Sequence, residues 1–344
     1  MKILLTGGAG FIGSNFAIHA LKEGHTVINV DILTYAGNLN NLEDFQSHFS
    51  HYFYQENILN KDALQKIFYN HQPDIVLHMA AESHVDRSIE CADAFIETNI
   101  MGTYNLLETG MEYYKSLPFP NNFKFVHLST DEVFGALGKD GKFSEASSYR
   151  PNSPYAASKA SSNFLVRSYF QTYRFPALIV NASNNYGPKQ YAEKLIPLII
   201  LNALEHKPLP IYGSGNQVRD WIYVEDHVKA LDLLIKKGKI GESYCIGADN
   251  EITNLDLIKK ICEILDDIFP SPNLRSYQEL IEFVTDRPGH DFRYATDASK
   301  LKKLGWKPEI DLEVGLQETI KWYLTQHEKN DHFKNDRRRI GLRK

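Results

Sequence analysis

The sequence predicts an α/β protein with a doubly wound parallel sheet and a smaller mixed α/β substrate domain toward the C-terminus. Two observations predict this fold class. Short apolar runs alternate with helical patterns through the first half of the chain. A glycine-rich segment also joins the first of these runs to the first helix. Repeated strand–helix units place the strands parallel and cover the sheet with helices on both faces.

The elements of the sheet follow one another along the chain. Strands are predicted at residues 3–5, 26–30, 75–78 and 123–128. Helices are predicted at residues 12–21 and 94–114. The second of these helices has an apolar face, because Phe95, Leu106 and Leu107 recur at helical spacing.

Prolines break the second half of the chain into loops and short elements, at Pro188, Pro197, Pro208 and Pro210. We therefore predict a dinucleotide-binding Rossmann domain over residues 1–180, to which a later segment at about 216–236 returns. A smaller sugar-nucleotide domain is predicted over 181–328. Residues 329–344 form a basic tail, which suits either docking to an acidic partner or a solvated chain end.

The composition excludes several classes of protein. With 344 residues, 43% of them hydrophobic and 24% charged, the chain has the balance of a globular protein. Its formal net charge of -5 argues against a role in holding nucleic acid. The N-terminal apolar run is too short for a signal peptide, and no uninterrupted apolar stretch reaches about 18 residues. We therefore expect no membrane span and a place in the cytoplasm.

The three cysteines predict neither a disulfide framework nor a metal site. Cys91, Cys245 and Cys262 are far apart and form no C-x-x-C pair. We therefore expect free thiols, a reducing compartment and no bound metal.

The glycine-rich segment predicts a dinucleotide site. Gly7, Gly10 and Gly13 stand at G-x-x-G-x-x-G spacing between the first strand and the first helix. Without side chains the backbone can turn tightly and approach a pyrophosphate, which the helix N-terminus stabilises. Asp31, after the second strand, can accept hydrogen bonds from the adenine ribose and would repel a 2′-phosphate. No Arg or Lys occurs between Asp31 and Glu43, so NAD is favoured over NADP.

A tyrosine and a lysine predict redox chemistry on a hydroxyl group. Tyr155 and Lys159 stand four residues apart at the start of a predicted helix, so they share one face. An ammonium group beside a phenol lowers the pKa of the phenol. The resulting phenolate can take a proton from a substrate hydroxyl while hydride leaves for NAD.

A polar run follows the strand predicted at 123–128. The hydroxyl of Thr130 can share the hydrogen bond of the substrate hydroxyl with Tyr155, because ligands bind beyond the carboxyl ends of strands. Asp131 and Glu132 can act as an acid–base pair if their surroundings separate their pKa values. The same run suits a helix N-cap, and the residues alone leave both interpretations open.

Together with these motifs, five further segments resemble the extended short-chain dehydrogenase/reductase family over residues 1 to about 324. The agreement is closest with the dTDP-glucose 4,6-dehydratase branch of that family. The segments read AAESHVDRS at 80–88, SNNYGP at 183–188, EKLIP at 193–197, RDWIYVEDH at 219–227 and DRPGHD at 286–291.

The resemblance implies dehydration of dTDP-glucose to dTDP-4-keto-6-deoxyglucose. Tyr155, supported by Lys159 and Thr130, would deprotonate the glucose O4 while hydride moves from C4 to NAD. Glu132 would then remove the C5 proton, Asp131 would protonate the departing O6, and hydride would return to C6. Related epimerases, which act on C4 alone, usually have small or uncharged residues at the positions of Asp131 and Glu132.

The resemblance also implies binding residues and an assembly. The residues implied for NAD are Gly7, Gly10, Phe11, Ile12, Gly13, Asp31, Leu33, Thr34, Asn57, Ile58, Ala80, Ala81, Thr98, Tyr155, Lys159 and Asn185. Those implied for the sugar nucleotide are Ser83, Thr130, Asn184, Lys194, Leu195, Pro210, Ile211, Tyr212, Arg219, Asn254, Asp286, Arg287, Pro288, Gly289 and His290. Relatives of this kind are typically homodimers that pair the helix at 94–114 with the helix beginning at Tyr155.

Two departures from the family pattern bear on binding. Asn57 stands where the family usually has an Asp facing the adenine, and an Asn can still accept a hydrogen bond from the adenine amine. Residues 189–192 read KQYA where an aromatic residue followed by Pro is usual. These residues are expected near the substrate nucleotide, so the same dehydration of a UDP-sugar is an alternative. A 4-epimerase and a catalytically silent NAD-binding protein are the others.

Overall fold

Helices and strands alternate through the protein, a computed structural model that describes residues 1–119 and 122–328. The predicted basic tail at 329–344 lies outside the described residues. The strands are β1 (Lys2–Thr6), β2 (Thr26–Asp31), β3 (His51–Gln55), β4 (Ile75–His78), β5 (Lys124–Thr130), β6 (Ala177–Ala182), β7 (Asn184–Tyr186), β8 (Leu209–Tyr212), β9 (Val218–Tyr223), β10 (Ser243–Ile246), β11 (Glu251–Thr253) and β12 (Ile281–Val284). The α-helices are α1 (Phe11–Lys22), α2 (Lys61–His71), α3 (Val85–Glu90), α4 (Asp93–Phe95), α5 (Thr103–Ser116), α6 (Pro154–Tyr173), α7 (Leu195–Leu204), α8 (Val224–Lys237), α9 (Asn254–Ile268), α10 (Ser299–Lys302) and α11 (Leu312–Glu328).

The central sheet has seven strands in the order β3–β2–β1–β4–β5–β6–β10. Every neighbouring pair in it is parallel. The predicted doubly wound parallel sheet is therefore confirmed, and each strand predicted from the sequence overlaps an observed one. The strand order reverses where β1 meets β4. In open α/β sheets a ligand crevice forms at the carboxyl ends of the strands at such a reversal.

Helices cover both faces of this sheet, and each face has its own apolar core. Leu5 faces a core with Phe16 of α1 and Leu231 of α8. The adjacent Leu4 faces the opposite core with Phe68 of α2. Successive side chains of a strand point to opposite faces, which is why a short run of apolar residues supplies both cores.

A smaller unit is built mainly from residues after β6. It contains a three-stranded sheet in the order β11–β9–β7 and a two-stranded sheet of β12 and β8. Helices α7, α9 and α11 enclose a separate core around Ile200, Leu257 and Leu316. The chain returns to the first unit, because α8 packs against α1 and β10 pairs with β6. The segment at 216–236, which was predicted to return to the first unit, includes most of α8, whereas β10 lies beyond it. The limits of the two domains stay a prediction.

The helix predicted at 94–114 is present but not uniform. Ile96–Gly102, between α4 and α5, form a π-helical stretch. A Cβ atom on Gly102 would lie only 2.4 Å from the Ile58 side chain, so the helix and the loop after β3 approach closely there. Stretches of π-helix frequently mark functional sites. Among the helices of the described ranges, none is both long and apolar enough to span a membrane.

Candidate active site

A cavity of about 440 Å³ lies at the carboxyl ends of the sheet strands, between the sheet and the smaller unit. Loops after β1, β2, β4 and β5 line it from the sheet side, and they include Asp31, Ala80 and Thr130. Lys194 and Arg219 line it from the smaller unit. A crevice in this place is where the fold binds its ligands.

The glycine-rich loop forms one wall of the cavity. Gly7 has a φ of +75°, and a Cβ atom on it would lie 2.8 Å from the backbone nitrogen of Ala80. A Cβ atom on Gly13 would lie 2.1 Å from the Gly7 carbonyl oxygen. Gly10 is the N-cap of α1, and Phe11 beside it lines the cavity. The loop therefore lies close to the segment that follows β4. It also turns the positive end of the α1 dipole toward the cavity.

Asp31 is held rigidly at the end of β2. Its Oδ2 accepts the backbone N–H of Ala9 at 2.9 Å, and its Oδ1 accepts that of Leu33 at 2.8 Å. Burial raises the pKa of Asp31, and these two hydrogen bonds oppose that effect. Each carboxylate oxygen can accept a further bond, so the group can still bind ribose hydroxyls.

Helix α6 presents Tyr155 and Lys159 to the cavity. The side chain of Ser153 caps the helix by accepting the backbone N–H of Ala156 at 3.1 Å. Lys159 Nζ donates to the carbonyl oxygen of Leu128 at 2.8 Å. Burial lowers the pKa of Lys159 to about 7. The side chain can therefore take up or release a proton near neutral pH.

The pKa of the Tyr155 phenol lies above its ordinary value in the folded chain, and its lowering by Lys159 stays a prediction. Burial is the largest effect on the phenol and raises its pKa, and the nearby carboxylate of Glu132 adds to the rise. A hydrogen bond with the Thr130 side chain opposes both effects.

Asn99 in the π-helical stretch connects the two sides of this site. Its Oδ1 accepts the backbone N–H of Glu82 at 3.0 Å, and its Nδ2 donates to the Glu82 carbonyl at 3.0 Å. The same Nδ2 donates to Ser158 Oγ at 2.8 Å, one residue before Lys159. Sequence reasoning missed Asn99, which is 1% exposed. The available signal was an amide side chain within a helix that was predicted to have an apolar face.

Asp131 and Glu132 lie side by side but in different electrostatic surroundings. Burial, with the charges of Glu132 and Asp220, raises the pKa of Asp131 to about 8. Burial also raises the pKa of Glu132, but the cations Arg287, Arg219 and Lys194 oppose it. Asp131 is therefore suited to donate a proton at neutral pH and Glu132 to accept one.

Thr130 is the N-cap of the polar run, and its hydroxyl also lies beside the carboxyl group of Asp131. Its Oγ1 accepts the backbone N–H of Glu132 at 3.2 Å, as an N-cap does. Its hydroxyl also approaches Oδ1 of Asp131 at 3.3 Å, and the hydroxyl of Thr296 approaches Oδ2 at the same distance. Capping thus fixes the run beside Tyr155.

Asp131→Asn is expected to stabilise the fold at alkaline pH. The folded pKa of Asp131, about 8, lies above the ordinary value, so the wild-type fold loses stability as pH rises from about 4 to 8. The neutral amide does not titrate. We expect a gain of several kcal/mol at pH 8, at most about 5 kcal/mol, and almost none at pH 4, measured by denaturant unfolding. Equal differences at both pH values would contradict this reasoning.

Cations of the smaller unit face the carboxyl pair. Arg219 lies over the ring of Tyr294, with its Cζ 4.3 Å from the ring centroid. Arg287 Nη1 lies 3.4 Å from Oδ1 of Asp86, whose Oδ2 accepts the hydroxyl of Tyr212 at 2.6 Å. Guanidinium groups held in this way can bind phosphate oxygens through two parallel hydrogen bonds.

The structure brings most of the expected site residues to this cavity. Those expected at NAD that line it are Gly7, Gly10, Phe11, Ile12, Gly13, Asp31, Thr34, Asn57, Ile58, Ala80, Ala81, Thr98, Tyr155, Lys159 and Asn185. Those expected at the sugar nucleotide that line it are Ser83, Thr130, Asn184, Lys194, Leu195, Tyr212, Arg219, Asn254, Arg287 and His290.

The other expected residues lie outside the lining, which includes neither Pro288 nor Gly289. Leu33 offers only its backbone N–H to Asp31. Pro210 and Ile211 are buried in β8, and Ile211 belongs to the core of the smaller unit. Asp286 instead accepts a hydrogen bond from Gln217 at 3.0 Å.

Residues 189–192 lie in three different surroundings. Gln190 and Tyr191 line the cavity. Ala192 is 1% exposed and packs in the core of the smaller unit. Lys189 Nζ donates to the carbonyl oxygen of Asn41 at 2.6 Å, on the side of the glycine-rich loop. The cavity lining therefore includes Gln190 and Tyr191 but neither Lys189 nor Ala192, and the place of this segment beside the substrate nucleotide stays a prediction.

The glycine-rich loop, Asp31 and the Tyr155–Lys159 pair define a dinucleotide-dependent enzyme of the extended short-chain dehydrogenase/reductase type. The chain belongs to the GDP-mannose 4,6 dehydratase family, whose model matches residues 4–319. Within that family it is similar to the dTDP-glucose 4,6-dehydratase of Salmonella typhimurium, with 52% identity over 337 residues. That match covers 94% of this chain and 93% of the relative. The resemblance that the motifs indicated is confirmed.

Solved structures of the same kind of enzyme are similar to this fold. The dTDP-glucose 4,6-dehydratase from Bacillus anthracis in complex with NAD has a TM-score of 0.84 and 44% identity, covering 95% of this chain and 98% of that one. DesIV, the dTDP-glucose 4,6-dehydratase from Streptomyces venezuelae with NAD and TYD bound, has a TM-score of 0.87 and 39% identity, covering 96% and 98%.

Proposed function

We propose that this chain catalyses the dehydration of dTDP-glucose to dTDP-4-keto-6-deoxyglucose with NAD as its cofactor. The observation that carries the proposal is the pair Asp131 and Glu132 beside Tyr155 in one cavity. Oxidation and reduction at C4 need only one group that exchanges a proton with O4. Loss of water across C5 and C6 also needs an acid and a base, and this pair supplies both.

The cavity wall fits NAD. Gly7 and Gly13 leave room only for backbone, so a pyrophosphate can approach the N-terminus of α1. Asp31 is oriented to accept the ribose hydroxyls, and Asn57 lines the wall further along. When bound, NAD supplies a reversible acceptor for the hydride of the sugar.

The side chains of the site divide the proton transfers among themselves. The Tyr155 hydroxyl exchanges the proton of O4, and Lys159 is the nearby group that titrates near neutral pH. Glu132 takes the C5 proton, which a ketone at C4 makes acidic. Asp131, largely protonated below pH 8, donates to O6 as it leaves.

The smaller unit supports binding of the diphosphate. Arg219, Arg287 and Lys194 line the cavity and are each held by neighbouring groups. Lys194 Nζ donates to the carbonyl oxygen of Ser83 at 2.6 Å, which fixes its direction. Preoriented cations bind a dianionic group with little loss of side-chain entropy.

Mass spectrometry of parallel reactions with dTDP-glucose, UDP-glucose and UDP-GlcNAc tests the proposal. Loss of one water from dTDP-glucose alone is the expected result. Water loss only from a UDP-sugar would keep the acid–base chemistry and change the substrate. Absence of water loss from all three, with NAD bound, would overturn the dehydratase proposal and favour a 4-epimerase or a silent binding protein.

We infer further that the chain works as a homodimer through α5, α6 and the π-helical stretch. Ile96, Met101, Tyr104 and Phe164 are each more than two-fifths exposed on these helices. Exposed apolar side chains in such number commonly mark a protein interface. We expect a dimer by size-exclusion chromatography with light scattering and a monomer for Met101→Glu/Phe164→Glu. A wild-type monomer at micromolar concentration would contradict this.

A cytoplasmic location is our proposal as well. Cys91, Cys245 and Cys262 are free in the structure, as the cysteine spacing predicted, and the first of them is exposed. Free thiols persist where glutathione and thioredoxin keep them reduced. Recovery of the activity in the cytoplasmic fraction of cells is the expected result.

A further inference from the structure

Residues 188–194, here called the strap, connect β7 to α7 and extend from the smaller unit onto the nucleotide-binding unit. Gln190, Tyr191, Glu193 and Lys194 of the strap line the cavity. The strap is therefore part of the cavity wall and not a surface loop. Its contacts with the nucleotide-binding unit fall at two places.

The first contact ties the strap to the region of the glycine-rich loop. Asn15 Nδ2, on α1, donates to the carbonyl oxygen of Pro188 at 3.2 Å. Lys189 Nζ donates to the carbonyl oxygen of Asn41 at 2.6 Å, and Asn41 Nδ2 donates to the carbonyl oxygen of Ala9 at 2.9 Å. Lys189 has a φ of +73°, which a residue with a side chain adopts only when its contacts fix it.

The second contact is a clamp formed by Tyr35, Arg87 and Glu193. Arg87 Nε donates to Oε2 of Glu193 at 3.0 Å, although Glu193 is only 2% exposed. The Arg87 guanidinium lies 3.9 Å from the centroid of the Tyr35 ring. The Tyr35 hydroxyl lies near the carboxyl groups of Glu193 and Glu82 and affects the pKa values of both. The ring of Tyr191 meets Tyr35 edge-on at 5.4 Å.

Both contacts fall beside residues that fit NAD. Tyr35 stands between Thr34 and Ala36, which line the cavity after β2. Glu82 follows Ala81 in the wall after β4. The strap is thus tied down around the part of the cavity that we assign to the dinucleotide.

We propose that the strap retains NAD between turnovers, and that Lys189 and Arg87 are the positioning residues that hold it closed. This inference rests on the proposed function, in which the cofactor leaves each cycle in the form in which it entered. The net reaction needs no exchange of cofactor, so slow release has no cost in rate. A cofactor that left after oxidation at C4 would carry the hydride away, so the dehydrated keto sugar could not be reduced at C6.

The test measures release of NAD from the purified holoenzyme. Excess alcohol dehydrogenase and ethanol reduce the NAD that is released, and the absorbance of the product gives the rate. The variants are Lys189→Met, Arg87→Met, their combination and Arg87→Lys. The matched control is Lys207→Met, because Lys207 is 61% exposed and pairs with Glu205 away from the strap.

We expect each methionine variant to release NAD about tenfold faster, which is the effect of losing one charge-assisted hydrogen bond. The combination should be faster still, and the control should match the wild type. Arg87→Lys should fall between, because lysine keeps the charge but lacks the planar group that lies over Tyr35. Melting curves of every variant, measured alongside, report on the fold.

Wild-type release rates in the combined variant would overturn the inference. If Arg87→Met fails to fold, Lys189→Met alone decides, and an unchanged rate in it has the same meaning. A wild-type enzyme that is purified without NAD would also overturn the inference. Conversion of dTDP-glucose by the wild type is assayed separately, so failure of the strap and failure of the proposed function are distinguishable.

Discussion

Tyr155→Phe is expected to reduce turnover of dTDP-glucose by about 10³-fold or more while NAD stays bound. The substitution removes only the hydroxyl that exchanges the O4 proton, and a positioned acid–base group contributes about 10²–10⁴-fold. The ring itself is 9% exposed and meets Phe95 edge-on, with centroids 6.3 Å apart, so the packing is retained. Product formation is followed by mass spectrometry, and bound NAD is measured after denaturation of the purified variant.

Tyr149→Phe is the matched control for this loss. The Tyr149 hydroxyl accepts a hydrogen bond from Asn163 Nδ2 at 3.1 Å, and Tyr149 is not among the residues that line the cavity. We expect activity close to that of the wild type. Turnover by Tyr155→Phe within tenfold of the wild type would remove Tyr155 from its role.

Glu132→Gln is expected to stop the reaction after oxidation at C4. The amide has nearly the same size as the carboxyl group but cannot take the C5 proton, so dehydration should fall by about 10²–10⁴-fold. The absorbance of reduced nicotinamide should rise after mixing with dTDP-glucose and persist. Tyr155→Phe, by contrast, should show no such rise, because its block comes before oxidation.

Glu318→Gln, on the exposed pair of Glu318 with Lys321, serves as the control for the charge change. It should show neither slow dehydration nor persistent absorbance. Dehydration by Glu132→Gln at the wild-type rate would show that another group removes the C5 proton.

Local patterns in the sequence were sufficient to predict four of the seven strands of the sheet and many residues of the proposed site. The glycine spacing, Asp31 and the Tyr155–Lys159 pair are each defined within a few residues of one strand or helix. Strands β3, β6 and β10 were not predicted. For β10, a run as short as SYCI does not indicate which sheet it joins, and its partner β6 lies some 60 residues earlier.

Electrostatics and long-range contacts could not be predicted in this way. The raised pKa of Tyr155 depends on burial and on the nearby carboxylate of Glu132, and both effects arise only in the folded chain. Arg87 and Glu193 are 106 residues apart in sequence, so nothing local relates them. The spacing of residues in the sequence shows which side chains lie on the same helix or strand. Contacts between side chains of different helices and strands depend on the tertiary fold.

In the π-helical stretch between α4 and α5, the number of residues matters for function as well as their identity. It accommodates one residue more than an α-helix would, and that register turns Asn99 toward Glu82 and Ser158. Deleting one residue from Ile96–Gly102 would convert the stretch to an α-helix and change which of its side chains face Glu82 and Ser158. Evolution can therefore change the side chains of this segment more freely than it can change the length of the segment. Insertions and deletions here should be rarer than substitutions.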